Sequence, residues 1–316
     1  MKKRAAGFTL IELLVVVAII GLLISILLPS LRSAKEQAHT VKCIANLKQV
    51  GNAMLMYFGD HNNWFPFEKR NWPEAAPGKM GGFVVSAFHY GGHPGRPGAN
   101  GEGSATFEHP RLRDTFRGRP FNPYLYDNLY DQLETMADVG TAEFEERRKS
   151  LTLFECPSDT GGYYNNNTNT LTDEYTPIHW RHGSSYDINY HFIWRWAALR
   201  APTEHRLRYL ERSNRFLQKQ REQNVSRFVV LVEDPFDSAG WNNVPKMGWH
   251  GKWNKHSFLF LDGHSANVYA DASTGLGNYG PNWKTAGRGL RPDGSPIQWF
   301  NNPDDPDYQY RDLSPY

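Results

Sequence analysis

Several features that usually announce a function are missing from this chain. Its 316 residues include only two cysteines, Cys43 and Cys156, a number that reads as too few for a structural zinc site. It has no H-E-x-x-H spacing, no Walker loop, no dinucleotide fingerprint and no G-x-S-x-G nucleophile turn. Glu and Asp are scattered without a recognisable acid/base pair, so nothing marks an enzyme. Charge of one sign is also lacking: the net charge is +2, which excludes the strongly basic face that nucleic-acid binding needs. Without residues 1–7, which hold Lys2, Lys3 and Arg4, the balance turns slightly acidic. No period of 20–50 residues is visible, which excludes a repeat architecture.

Long apolar runs are scarce too, with one exception. Residues 8–28 are apolar but for Thr9, Glu12, Gly21 and Ser25. As a helix at about 1.5 Å per residue this run spans about 32 Å, the thickness of a bilayer core. Lys2, Lys3 and Arg4 precede it, so the positive-inside rule predicts a cytoplasmic amino terminus and an exported remainder. The run is longer than the apolar region of a secretory signal, and its small residues, Ala5, Ala6 and Gly7, lie before it. Cleavage there would leave the apolar helix on the mature protein.

Past Pro29 the helical pattern continues. Leu31, Ala34, Ala38, Val41, Ile44, Leu47, Gly51, Met54 and Phe58 step by threes and fours, one stripe of a helix. Arg32, Lys35, Glu36, Lys42, Asn46 and Gln49 fall on the opposite face. Residues 8–58 are therefore expected to form one helix about 75 Å long, kinked at Pro29, with its first half in lipid and its second half on a globular body. Glu12 is the anomaly. A charge at the bilayer centre costs about 2.5–3.5 kcal/mol, and such groups usually have a partner. Either it is protonated or snorkels near the helix end, or a neighbouring subunit supplies a cation. Cleavage after Gly7 would create one, the α-amino group of Phe8.

The remainder is rich in aromatics (14%), glycine (28) and proline (20), the composition of a loop-rich body. Residues 61–82 and 91–103 read as loops, the latter as a surface insertion. His109, Arg111, Arg113, Arg117 and Arg119 follow as a basic cluster, either a solvated loop or a dock for an acidic partner. One or two short helices are expected in 127–150 and a longer one in 202–223. Strands are expected at Leu-Thr-Leu-Phe-Glu (151–155), at Ser-Ser-Tyr-Asp-Ile-Asn-Tyr-His-Phe-Ile-Trp (184–194) with Tyr186, Ile188 and Tyr190 alternating, and at Ser-Arg-Phe-Val-Val-Leu-Val-Glu-Asp-Pro (226–235). Asp262-Gly263 between two β-prone runs predicts a hairpin with a type I′ turn. The tail from Gly275 reads as irregular chain anchored by Trp283, Trp299 and Phe300. The order gives an α+β fold, a long helix packed on a mostly antiparallel sheet.

The stretch Gly-Phe-Thr-Leu-Ile-Glu before an apolar helix resembles the class III signal of type IV prepilins and type II secretion pseudopilins. The resemblance implies a leader over 1–7, a long helix over 8–58 with 8–28 transmembrane, and an exported α+β domain over 59–316. It implies that prepilin peptidase cuts between Gly7 and Phe8 and methylates Phe8, that Glu12 neutralises a neighbour's amine during assembly, and that Pro29 marks the usual kink. The implied partners are that peptidase, other pilin or pseudopilin subunits, an inner-membrane assembly platform and the lipid bilayer, with no nucleic acid. The expected function is a non-enzymatic subunit of a pilus or secretion filament, first held in the inner membrane with its body in the periplasm or at the cell surface. The alternative is an exported glycan-binding or glycan-active protein on a pilin-type anchor, its ten tryptophans lining a sugar groove.

A second resemblance is to prepilin-like proteins with C-x-x-N-L-K-Q, C-P-S-D and H-x9-D-G stretches. Here these are Cys43 to Gln49, Cys156 to Asp159, and His250 ahead of Asp262-Gly263, with eleven residues rather than nine between His250 and Asp262. Either the loop is longer or the histidine has moved to His256. Cys43 and Cys156 are either a disulfide or two separately buried thiols. His250, His256, Asp262 and His264 are the residues a metal site would draw on, without any standard zinc spacing. Major pseudopilins are known for calcium, and the Asp/Asn-rich loops offer oxygen ligands, but no EF-hand loop is present and no specific ligands follow.

Overall fold

A computed structural model describes residues 9–66, 90–92, 119–126, 149–161, 177–189, 206–223, 225–236 and 247–270, with short pieces at 142, 146, 164–165 and 170–171. The first element, α1, is a single helix from Leu10 to Asp60. Thr9 is its N-cap, and with Glu12 it forms a reciprocal capping box that satisfies two donors at the helix start. The helix runs without interruption through Pro29, whose missing N–H leaves the Ser25 carbonyl without its helical donor. Ser25 and Ser30 donate their hydroxyls to Leu22 O and Leu27 O at 2.7 and 2.8 Å, so neither is left unpaired in the apolar half.

The body follows as α2 (Asn122–Leu125), a single 3-10 turn (Thr152–Phe154), the two-stranded β1 (Tyr164–Asn165) and β2 (Thr170–Leu171), and α3 (Ile178–His182). Then come β3 (Tyr186–Ile188), α4 (Arg206–Gln223), β4 (Val229–Glu233), β5 (Lys255–Phe260) and β6 (Ser265–Tyr269). Strands β3-β4-β5-β6 form one antiparallel sheet in chain order. The fold is α+β and pilin-like, as the pattern predicts. The β4 run Val-Val-Leu-Val is buried throughout because the sheet is covered on both faces. One face packs on α1 through Leu47, Val50, Met54, Phe58, Leu259 and Leu261. The other holds Val229, Val232, Phe236, Phe258 and Phe260.

Several local expectations change. Residues 151–155 form a 3-10 turn rather than a strand, because Leu151 and Phe154 enter the core together while Thr152 O and Glu155 O accept from Asn46 Nδ2, both at 3.0 Å. β3 does not alternate: Tyr186, Asp187 and Ile188 are all buried. The hairpin is not type I′. Of its turn residues only Gly263 has positive φ, +80°, and its N–H bonds to Phe260 O, which gives a longer loop with one left-handed residue. On α1 the stripe is buried from Leu47 to Phe58, but Leu31 and Val41 are exposed. Asn46, expected on the outer face, is fully buried. Arg119 is buried as well, donating to Gly91 O, so it belongs to no solvated basic cluster. His109, Arg111, Arg113, Arg117, Pro202, Tyr190, most of 127–150 and the tail from 271 lie outside the described residues.

Helix and hairpin meet closely at Gly51. A Cβ there would stand 2.7 Å from both Gly263 O and Leu259 Cδ1. Gly→Ala in a helix interior normally stabilises by about 0.5–1 kcal/mol, but overpacking against backbone costs about 1–3 kcal/mol. Gly51→Ala is therefore expected to lower stability by about 1–2 kcal/mol. Thermal unfolding of the full chain in detergent reads this, and a raised midpoint would contradict the close packing.

Candidate functional site: the assembly helix and a buried cysteine–histidine–glutamate cluster

The described residues place two groups of unusual side chains on α1. The first is at its start. Thr9 N–H and Thr9 Oγ1 both donate to Glu12 Oε2 at 2.8 Å, and Glu12 N–H donates back to Thr9 Oγ1 at 3.3 Å. Glu12 Oε1 has no partner among the described residues. From Leu10 to Leu28 the large apolar side chains are bare, from 81% exposed at Leu10 to 46% at Val16. This part of the helix is long and apolar enough to cross a membrane, and none of it is buried by the body. Gly7 and Phe8 lie outside the described residues.

The second group sits where α1 enters the body. Cys43 and Asn46, one turn apart, face the Cys156-Pro157-Ser158-Asp159 segment. Asn46 holds the preceding turn, as described above, and Ser185 Oγ receives the Cys156 N–H at 3.0 Å. Ser158 Oγ donates to Glu36 Oε1 at 2.6 Å and lies 3.0 Å from His39 Nδ1. Asp159 turns away from the helix. Its carboxylate accepts from Gly161 N, Ile178 N, His179 N, His179 Nδ1 and Ser185 Oγ at 2.7–3.0 Å, tying α3 and β3 to the segment.

His250 comes from a tight turn closed by the Met247–Trp253 bridge. Its Nδ1 meets Glu36 Oε1 at 2.8 Å, and its Nε2 points inward, 3.2 Å from Glu233 Oε1 and 3.7 Å from Cys156 Sγ. Glu233 ends β4 opposite Tyr186, whose hydroxyl lies 3.0 Å from Cys43 Sγ. Cys43 Sγ stands 3.8 Å from Glu233 Oε1. The inward donor atoms of Cys43, Cys156, Glu233 and His250 all lie within 4.8 Å of one another, and all four residues are buried.

The thiols are free, so the disulfide reading is corrected, and so is the reading of two separate burial sites. The histidine that points into this cluster is His250, while His256 Nδ1 sits 3.9 Å from Glu233 Oε2. Asp262 and Gly263 are not part of this cluster. Asp262 pairs with His264 in the hairpin turn, and Gly263 O receives Lys48 Nζ at 3.1 Å. Of the residues suggested for a metal, only His250 joins the cysteines. Asp159, the last residue of the C-P-S-D stretch, holds that segment, while Glu233, Glu36 and Tyr186 carry much of the arrangement without any motif that marks them as site residues. The one available signal was Glu233 itself, a carboxylate closing the apolar run Val-Val-Leu-Val.

Burial pushes the Cys43 thiol up, but hydrogen bonding with Cys156 and His250 outweighs it and brings it down to about 7. Burial also disfavours the His250 cation, yet its contacts with Cys43 and Glu233 raise it to about 10. Burial drives Cys156 and Tyr186 well up. Burial alone would raise Glu36, but Ser158 and His250 hold it below the ordinary carboxylate value.

A bare apolar half-helix, its amphipathic continuation and an antiparallel sheet beneath it define a prepilin-like protein. Residues 2–28 match the prokaryotic N-terminal methylation motif. Residues 32–203 match the family described as protein of unknown function DUF1559, and the chain belongs to that family. It is 38% identical over 81 residues to the type II secretion system core protein G of Aeromonas hydrophila, covering 24% of this chain and 57% of that one. It is 40% identical over 61 residues to the core protein G of Escherichia coli, covering 19% and 42%, and 40% identical over 62 residues to the type IV wide pilus major component PilA4 of Thermus thermophilus, covering 20% and 47%. The chain thus spans about half the length of these relatives. No solved structure matches it.

Asp159 offers a direct test of how the segment is held. Burial raises its carboxyl, but His179, by hydrogen bond and charge, and the α3 backbone together lower it below the ordinary value. Its stabilisation is therefore complete above the unfolded pKa of about 3.9 and is lost as pH falls through the lower folded value. Asp159→Ala should cost about 3 kcal/mol or more, since it strips several buried donors of their acceptor. Asp159→Asn should flatten the acid limb of a stability–pH curve between about pH 2 and 5. An acid limb identical to wild type would contradict the assignment.

Proposed function

We propose that this chain is a non-enzymatic subunit of a type IV pilus or type II secretion pseudopilus. The observation that carries the reading is the uncovered apolar half of α1, headed by a carboxylate whose Oε1 has no partner among the described residues. Apolar surface on this scale needs either lipid or copies of itself around it. In the precursor, residues 8–28 cross the inner membrane with residues 1–7 on the cytoplasmic side and the 59–316 body exported. Prepilin peptidase removes the leader after Gly7 and methylates Phe8. The helix then leaves lipid and packs among its neighbours on the assembly platform.

That transfer gains little hydrophobic energy, because lipid is as apolar as the side chains. Pairing must supply the specificity. Glu12 Oε2 starts its own helix, and Oε1 receives the amine of a neighbour's Phe8. An unpaired charge there would be expensive, so a subunit lacking the carboxylate is discriminated against.

The two duties of Glu12 are separable. Glu12→Gln can still complete a capping box but carries no charge. It should start the helix normally, be processed at Gly7, and enter filaments less often than co-expressed wild type. Mutant-to-wild-type ratios in sheared filaments measure this, and equal ratios would sink the pairing. Gly7→Leu should leave an unshifted precursor on a gel, while mass spectrometry of the wild-type product should find methylated Phe8 at its start.

A further inference from the structure

We propose that Cys43, Cys156, Glu233 and His250 form a closed, four-coordinate zinc site that clamps α1 to the sheet. This inference does not rest on the filament reading. It rests on the geometry of four donors from four separate elements. In a tetrahedral zinc site, bonds of about 2.3 Å to sulfur and about 2.0–2.2 Å to nitrogen and oxygen set the donor separations. These come to about 3.4 Å between nitrogen and oxygen and about 3.6 Å from sulfur to either. The corresponding distances are 3.2 Å for His250 Nε2 to Glu233 Oε1, 3.7 Å for Cys156 Sγ to His250 Nε2, and 3.8 Å for Cys43 Sγ to Glu233 Oε1. These three separations match the edges of a zinc tetrahedron, and all four atoms lie within 4.8 Å of one another.

A second observation points the same way. Histidines that bind zinc through one nitrogen usually give the other N–H to a carboxylate, which fixes the ring and its tautomer. His250 is so arranged, with Nδ1 on Glu36 Oε1 at 2.8 Å and Nε2 directed into the cluster. Glu36 is in turn held by Ser158, next to Cys156 in the same segment. Tyr186 reaches Cys43 Sγ from the other side, a hydrogen bond of the kind that supports a bound thiolate.

The donor chemistry selects the ion. Two thiolates, an imidazole and one carboxylate oxygen suit zinc, whereas calcium and magnesium take oxygen alone. All four residues are buried, so the coordination is closed to water, as in structural rather than catalytic sites. The clamp joins the rod to the body at the point where α1 first becomes covered.

The chain has no other cysteines, so a thiolate-to-metal band can arise nowhere else in it. The test is titration of the reduced, full-length protein in detergent with Co²⁺, followed by absorption, together with the zinc content of the protein as purified. The expected result is one equivalent of cobalt with thiolate charge-transfer absorption, displaced by zinc. Replacing both cysteines, Cys43→Ser and Cys156→Ser, should abolish the band. Glu36→Gln should keep it but weaken zinc binding by about 10- to 100-fold. Reduced wild-type protein that shows no thiolate band, or that recovers only a Cys43–Cys156 disulfide and never takes up cobalt or zinc, would overturn the proposal.

Discussion

One helix has to live in two solvents, and its body covers only part of it. α1 runs 51 residues, and the buried positions begin only at Cys43. Everything described up to Lys35 is exposed, with apolar side chains along the whole of Leu10–Leu28. The division of labour along the rod follows from this inequality of length. The second half specifies where the body sits. The first half is left for whatever apolar medium surrounds it.

The junction between these halves is unusual because it is polar. Glu36, His39 and Cys43 meet Ser158, Cys156, Glu233 and His250, and Asn46 holds Thr152 O and Glu155 O, where α1 first gains cover. A few residues further on the contact is ordinary core: Leu47, Val50, Met54 and Phe58 on the sheet. Apolar packing supplies attraction without direction. The polar belt supplies register, because Asn46 and Glu36 find partners only if α1 has one rotation and one height relative to the sheet. Gly51 completes the setting by letting the hairpin turn approach the helix backbone. Without that approach, Lys48 would not reach Gly263 O.

Local pattern carried a reader a long way. The apolar run, the basic residues before it and the step of threes and fours beyond Pro29 identify the helix, since periodicity is a property of neighbours in sequence. β4 was legible from Val-Val-Leu-Val, and the β5–β6 hairpin from Asp262-Gly263. The turn type was not legible, because Gly263 alone takes positive φ and loop length depends on how the strands pair. Asn46 and Glu36 were placed on the wrong face because polar residues look like surface when only hydropathy is read. The 151–155 turn was misread as a strand because a short apolar run fits either element until its packing partner is known.

What the sequence determined by itself was the rod: its position, its apolar half and its amphipathic half, all written in contacts of three or four residues. The α+β order of the body was readable on the same terms. What only the tertiary structure decided was the cluster at the junction. Cys43, Cys156, Glu233 and His250 lie on a helix, a loop, a strand end and a turn, so no spacing in the chain records their meeting. Only the docking of α1 on the sheet brings their donor atoms within 4.8 Å.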